Sequence, residues 1–251
     1  MAVMLINKAE FAAAEAELDG LIRGNPLLAD AYVARGTCKA LQAQLAGAVL
    51  DFKAATEADP EHIEAWKRRG QARAASGDSK GALGDFRRAK QLTKGESIEV
   101  LVELGRLHFH MRDFRAAGKQ YRAAVNLPAS ATASKGAKDL PVEARHMLGV
   151  CLASVGETQA ALGWYDKALK LDPAHREALT NKAQGLRELA NDPPAREAYR
   201  LALTKHPQYV RARLGLSQVL HAAGEHRIAA RELTDFIEGS SEGGGGGGDT
   251  G

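Results

Sequence analysis

Two cysteines in 251 residues, Cys38 and Cys151, far apart and without CxxC spacing, exclude a disulfide framework and a cysteine-built metal site. Only eight prolines interrupt the chain, and aromatic residues make up 5% of it, while alanine, leucine, lysine, arginine and glutamate recur. That composition favours helix over sheet. No apolar run approaches the roughly 20 residues of a membrane span, and Met1 to Ile6 is too brief for a signal h-region. Neither sign of charge dominates: 34 basic residues face 31 acidic ones, a net of +3. So even a balance gives no long-range field toward nucleic acid or membrane. The expectation is an all-α protein of a reducing compartment, cytoplasmic or nuclear, without membrane insertion or nucleic-acid binding.

What the chain does have is a period. Five of its eleven Phe and Tyr residues form one column, Phe52, Phe86, Tyr121, Tyr165 and Tyr199, spaced by 34, 35, 44 and 34 residues. Ala48, Ala82, Ala117, Ala161, Ala195 and Ala229 keep the same spacing, as do the small residues Gly36, Gly70, Gly105, Gly149, Ala183 and Ser217. A repeat of this length predicts paired antiparallel helices, with small side chains where helices approach and large ones filling the gaps. Polar or flexible pairs, Gly77-Asp78, Arg112-Asp113, Gly156-Glu157 and Gly224-Glu225, mark the turns within units. Asp59-Pro60, Asp172-Pro173 and His206-Pro207 end the second helices, because the residue before proline resists helical geometry. Pro193 and Pro194 fall at the start of a second helix, where a missing N–H is harmless.

With each unit numbered from one to 34, a small residue at 8, alanine at 20 and 27, an aromatic at 24 and proline at 32 resemble the tetratricopeptide repeat, as in Trp66, Gly70, Ala82, Phe86 and Ala89. The resemblance implies a right-handed superhelical solenoid. Units fall at 29–62, 63–97, 98–131, 142–175, 176–209 and, divergent, 210–239. A partial unit at 1–28 precedes them, carried by Phe11, Ala14, Leu18, Leu21 and Pro26. The ten extra residues lie in a loop insertion at 128–141, and a glycine-rich tail that cannot pack occupies 240–251. EAWKRRGQARAASGD at 64–78, LGVCLASVGE at 148–157, LRELAND at 186–192 and LHAAGEHRIAARELT at 220–234 further resemble the plant suppressor of effector-triggered immunity and its animal relative, tetratricopeptide repeat protein 13. That likeness implies an adaptor restraining immune or transcriptional signalling complexes.

No residues converge for catalysis. HExxH, paired Cys/His spacing and a phosphate-cradling loop are all missing from the sequence, so neither enzyme activity nor any metal or cofactor is expected. His62, His175 and His206 fall at the links between units, where they are expected to cover hairpin ends in solvent. Cys38 and Cys151, both at position 10, read as buried inert thiols. Partner binding falls instead to the inner face of the first helices, positions 2, 5, 6, 9, 12 and 13. The candidates are Lys67, Arg68 and Gln71; Arg106, Phe109 and His110, beside Glu103; His146; Asn181, Gln184 and Arg187; and Arg211 and Gln218. Cationic forks, amides and an exposed aromatic suit extended or helical peptide segments of other proteins, particularly those carrying carboxylates.

Some tetratricopeptide domains clamp the C-terminal carboxylates of heat-shock chaperones with Lys at 5, Asn at 9, Asn at 6 of the next unit, and Lys and Arg at 2 and 6 of the third. Here Lys67 fits, but Gln71 and Glu103 depart. Asn181 and Arg211 fit, while His146, Val150 and Gly215 do not. Chaperone docking of that kind is not expected. Two other readings compete with the scaffold: an accessory fragment of an enzyme such as a repeat-bearing glycosyltransferase, and an RNA binder. Glu103, Glu143, Glu177 and Glu188 break the positive charge that RNA would need.

Overall fold

The computed structural model describes residues 2–128 and 139–242, which contain fourteen α-helices and no strand. The chain divides into two compact units, Met1–Leu140 and Pro141–Gly251. In the first, a short α1 (Ala2–Asn7) and α2 (Phe11–Gly24) precede three hairpins: α3 (Ala29–Leu41) with α4 (Leu45–Ala58), α5 (Ile63–Ala75) with α6 (Ser79–Leu92), and α7 (Ile98–His110) with α8 (Phe114–Val125). The second unit holds α9 (Leu140–Ser154) with α10 (Thr158–Leu171), α11 (Arg176–Glu188) with α12 (Asp192–Lys205), and α13 (Val210–Ala222) with α14 (His226–Glu242). Within a unit, second helices pack on their own first helix and on the first helix of the next hairpin, as α4 does on α3 and α5, α6 on α5 and α7, and α12 on α11 and α13.

The columns become contacts. Phe52, Phe86, Tyr121, Tyr165 and Tyr199 are all buried, and burying each ring contributes roughly 2 to 3 kcal/mol. Phe86 lies on the backbone of α5 at Gly70, where a Cβ would stand 2.8 Å from its ring, and Tyr121 lies on α7 at Gly105, where the figure is 2.7 Å. Gly36 meets Phe52 and Gly149 meets Tyr165 in the same way. The fifth hairpin differs. There Ala183 occupies the small-residue position, and the glycine that accommodates Tyr199 is Gly215 of α13, in the following hairpin. Alanines at positions 20 and 27 are likewise buried, Ala82, Ala89, Ala161 and Ala168 among them.

Each intra-hairpin turn passes through one left-handed residue: Ala9, Ala43, Gly77, Arg112, Gly156, Ala190 and Gly224, with φ between 54° and 88°. Glycine takes this conformation freely, and where alanine or arginine stands the fold imposes it against a cost of about 1 to 2 kcal/mol. Asp78 and Asp113 then cap the next helix, accepting from Gly81 N at 2.8 Å and Ala116 N at 3.0 Å. The Glu157 side chain accepts no such bond. Asp59 and Asp172, each before a proline, leave the helix in extended geometry. Pro193 and Pro194 sit in the first turn of α12, as the sequence requires.

Three expectations shift. Leu140 and Pro141, assigned to the insertion, belong to the first turn of α9, where proline removes no needed donor. Residues 129–138 of that insertion lie outside the described residues. Helix α14 continues through Glu242, so the tail begins later than residue 240, and 243–251 are also outside the described residues. Finally, the link histidines cap helices. His62 and His175 accept through Nδ1 from Ala65 N and Ala178 N, both at 3.2 Å, and His206 Nε2 bonds the carbonyl of Ala174.

The first unit also buries ion pairs at positions 7 and 23 of its repeats. Asp85 accepts from both ends of the Arg69 guanidinium, at 2.7 and 3.1 Å, and from Arg73 at 2.9 Å. Asp51 does the same with Arg35 and pairs with Lys39 at 2.8 Å. Removing Asp85 would strand a buried guanidinium, a loss of about 3 to 5 kcal/mol.

Gly70→Ala and Gly84→Ala separate contact from propensity within one hairpin. Alanine favours helix by about 1 kcal/mol at either site. At Gly84 a Cβ meets nothing within 4 Å, so urea unfolding should show stabilisation of up to about 1 kcal/mol. At Gly70 the overlap with Phe86 outweighs that gain, and a net loss of about 1 to 2 kcal/mol is expected. Equal shifts for the two variants would contradict the seating of the ring.

Candidate functional site

Each unit presents its own inner face, built from the first helices. In the first unit the basic candidates are already engaged. Lys67 and Arg68 both reach Glu64, each at 2.7 Å, and although burial opposes it they hold the Glu64 carboxyl below its usual range. Gln71 and Arg106 converge on one oxygen of Glu103, at 2.9 and 3.0 Å. This face is therefore less cationic than its list of lysines and arginines implies. Phe109 is half-buried, edge-on to Phe114 at 5.3 Å, which corrects the expectation of an exposed aromatic: the ring of Phe114, at the start of α8, covers it. His110 is exposed beside it. Arg68 and Gln71 border a cavity of about 220 Å³ whose wall includes Leu41, Leu45, Phe52 and Ala72. It can take an apolar side chain.

The second unit gathers more of the candidates. Asn181, Gln184 and Arg211 line a cavity of about 320 Å³ with Val150, Gly185 and Glu188, and the buried Tyr165 also borders it. Arg211 donates to Asn181 Oδ1 at 2.8 Å, Gln184 Nε2 donates to Glu188 at 3.0 Å, and Tyr199 donates its hydroxyl proton to Gln184 at 3.2 Å. Arg187 and Gln218 bridge α11 to α13 at 2.6 Å. His146, expected on the surface, is 8% exposed. Its Nε2 lies 2.9 Å from Asn181 Nδ2, and its ring is 4.9 Å from that of His175. Position 5 thus sits under the groove in this hairpin, with the imidazole folded beneath Asn181.

Burial holds the His146 imidazole down from 6.5 to about 4, with the charges of His175 and Arg211 acting the same way against Glu177. Burial alone pushes the Cys151 thiol up to about 12, which suits the inert role expected of it; Cys38 is buried and its thiol is also raised, with burial the main cause. Among the described residues no group of three or more His, Cys, Asp or Glu side chains could hold a metal, and no helix is long and apolar enough to cross a membrane.

The roles of Glu64 and of the Arg69–Asp85 pair were not foreseen in the sequence. The pair had a signal, since Arg35 and Arg69 stand 34 residues apart and each precedes an aspartate, Asp51 or Asp85, by 16. Glu64 had only its i+3 and i+4 spacing to Lys67 and Arg68.

Stacked helical hairpins, with five aromatic rings seated on glycines of the first helices, define an all-α repeat protein with a polar inner face. The chain belongs to the tetratricopeptide repeat family, whose family model matches residues 42–97 and 102–176, just over half of the sequence. An uncharacterized protein, MJ0572 of Methanocaldococcus jannaschii, is 40% identical over 60 residues, which cover 23% of this chain and 70% of that one. Among solved structures, YrrB, described as a TPR protein with an unusual peptide-binding site, superposes with a TM-score of 0.64 at 23% identity, covering 82% of this chain and 97% of YrrB. PilF of Pseudomonas aeruginosa gives 0.66 at 18% identity, with 85% and 97% covered. PilW, a type IV pilus biogenesis factor, gives 0.69 at 17%, with 83% and 91% covered. At these identities the likeness is one of fold.

His146 gives the site a pH signature. The folded state binds fewer protons than the unfolded chain between pH 6.5 and 4, so its stability is intact above pH 6.5 and falls as the pH drops through that interval. The loss reaches about 3 kcal/mol near pH 4. Denaturant titrations at pH 7 and pH 4.5 should show His146→Gln losing markedly less stability than the wild type. Parallel losses would mean that His146 is not buried as described.

Proposed function

We propose that the chain is a non-catalytic scaffold that holds extended or helical peptide segments of other proteins on the inner faces of its first helices. The observation that carries this is the cavity of the second unit, where Arg211, Asn181 and Gln184 stand together beside the buried Tyr165. A guanidinium flanked by two amides matches the acceptors of a carboxylate and the backbone beside it, and the partly apolar wall suits the stem of the side chain. Glu188 on the same cavity selects against a guest with many acidic groups. The smaller apolar cavity at Arg68 and Gln71 supports a separate contact with an aliphatic or aromatic side chain. YrrB's described peptide-binding site supports the same class of guest.

A narrower reading makes the scaffold a restraint on immune or transcriptional signalling complexes in cytoplasm and nucleus. Its support is the set of four stretches, at 64–78, 148–157, 186–192 and 220–234, that resemble the plant suppressor and its animal relative.

Cross-linking and mass spectrometry on native extract would compare the wild type with Arg211→Glu and with Arg200→Glu, an exposed control on α12. Arg211→Glu should lose at least one wild-type partner, with its helical content unchanged by circular dichroism, while Arg200→Glu keeps them all. Identical partner sets from all three proteins would remove the basis for the inner-face assignment.

A further inference from the structure

The hydrogen bonds beneath the second unit's cavity fix one another's direction. Arginine can only donate, so the oxygen of the Asn181 amide must face Arg211, at 2.8 Å. The amide nitrogen then faces His146 Nε2, at 2.9 Å, and because that nitrogen also donates, Nε2 must offer a lone pair. The chain Arg211 to Asn181 to His146 is therefore closed only when His146 is neutral with its proton on Nδ1.

We infer that His146 is a proton-operated latch on Arg211, releasing the guanidinium toward a guest carboxylate when the imidazole gains its second proton. The inference rests on the reading of this cavity as a carboxylate-binding site. Protonation puts a donor on Nε2, facing the Asn181 NH2 group. The repulsion is relieved when the amide turns over, its oxygen accepting from His146. Its NH2 then faces Arg211, donor against donor, and the guanidinium leaves Asn181. Arg211 is exposed and borders the cavity, so it can turn toward a guest without disturbing the core. One proton is taken up at Nε2, and no covalent bond changes.

The groups facing His146 determine how easily this happens. The imidazole itself, on α9, is buried. From the link before α11 comes His175, whose Nδ1 is held as an acceptor by the Ala178 N–H. From α11 come Asn181 and Glu177, from α10 the Tyr165 ring at 6.1 Å, and from α13 Arg211. Glu177 favours the proton, while His175, Arg211 and burial oppose it. A carboxylate entering the cavity adds negative charge beside Arg211 and tips this balance. Carboxylate and proton therefore bind with positive linkage, each strengthening the other. A terminal α-carboxylate stays ionised down to about pH 4, so the guest keeps its charge over most of the range.

Side-chain NMR of the full chain tests the latch without any guest. The Arg211 guanidinium N–H and the Asn181 amide signals are followed with pH beside the His146 imidazole. The latch requires all three to move with one midpoint, and His146→Gln to abolish the response of Arg211. Arg211 signals that stay put while His146 titrates would overturn it. His146→Lys, read at pH 7, keeps the test open should acid unfold the unit, since Lys67 already occupies the same repeat position in another hairpin. Arg211 should then show its acid-state signals at neutral pH, and wild-type signals there would again count against the latch. The probe for linkage is a rhodamine-labelled peptide ending in Ala-Leu with a free carboxylate, against its C-terminal amide. About tenfold tighter binding of the free acid at pH 5 than at pH 7.5, lost in His146→Gln, is expected. Binding that is tight but independent of pH would sink the latch and leave the scaffold reading standing. A moving Arg211 with no preference for the free acid would keep the coupling of His146, Asn181 and Arg211 but overturn the carboxylate guest on which the latch rests.

Discussion

An aromatic ring cannot lie flat on a helix backbone that carries a Cβ at the point of contact. That steric fact sets the period of this chain. Five second helices, α4, α6, α8, α10 and α12, each offer one ring, and a first helix offers a glycine where the ring lands, as Gly70 does for Phe86 and Gly105 for Tyr121. Once the ring is seated, the alanines at positions 20 and 27 bring the next hairpin into contact. The inner faces of the first helices, which no second helix covers, are left for polar side chains.

This constraint explains why so much of the fold was legible. Phe and Tyr, eleven in all, are scarce enough that their alignment carries information, and four of the five aligned rings land on the glycine at position 8 of their own unit. The turn positions and proline-marked helix ends followed from backbone chemistry that depends little on tertiary context. Tyr199 shows the limit of column reading. Its own hairpin has Ala183 in the small position, yet the contact survives because Gly215, outside the column and one hairpin later, supplies the space. The sequence pattern names the need for a gap but not which helix meets it.

The site was less legible, because position on a helix face says little about where a long or flexible side chain ends. Lys67, Arg68 and Arg106 occupy inner-face positions and are nevertheless drawn to Glu64 and Glu103. His146 shares a repeat position with Lys67 but folds beneath Asn181, whereas Lys67 reaches Glu64 on its own helix. The link histidines serve as helix caps, a role in which imidazole nitrogen replaces the more usual hydroxyl or carboxylate oxygen. Cooperative polar networks of this kind depend on several partners at once, and one-dimensional spacing records only pairs.

The account stands on the uncovered inner face of the second unit being the surface that meets a partner. A photo-crosslinking amino acid placed at Gln184, inside the cavity, and separately at Leu201, exposed on α12, reports this most directly when irradiated in native extract. Adducts at Gln184 that disappear on addition of excess acidic-ended peptide, with none at Leu201, are the result expected. The same peptide-sensitive adducts forming at Leu201 and not at Gln184 would place the working surface on the other side of the hairpins and contradict the account.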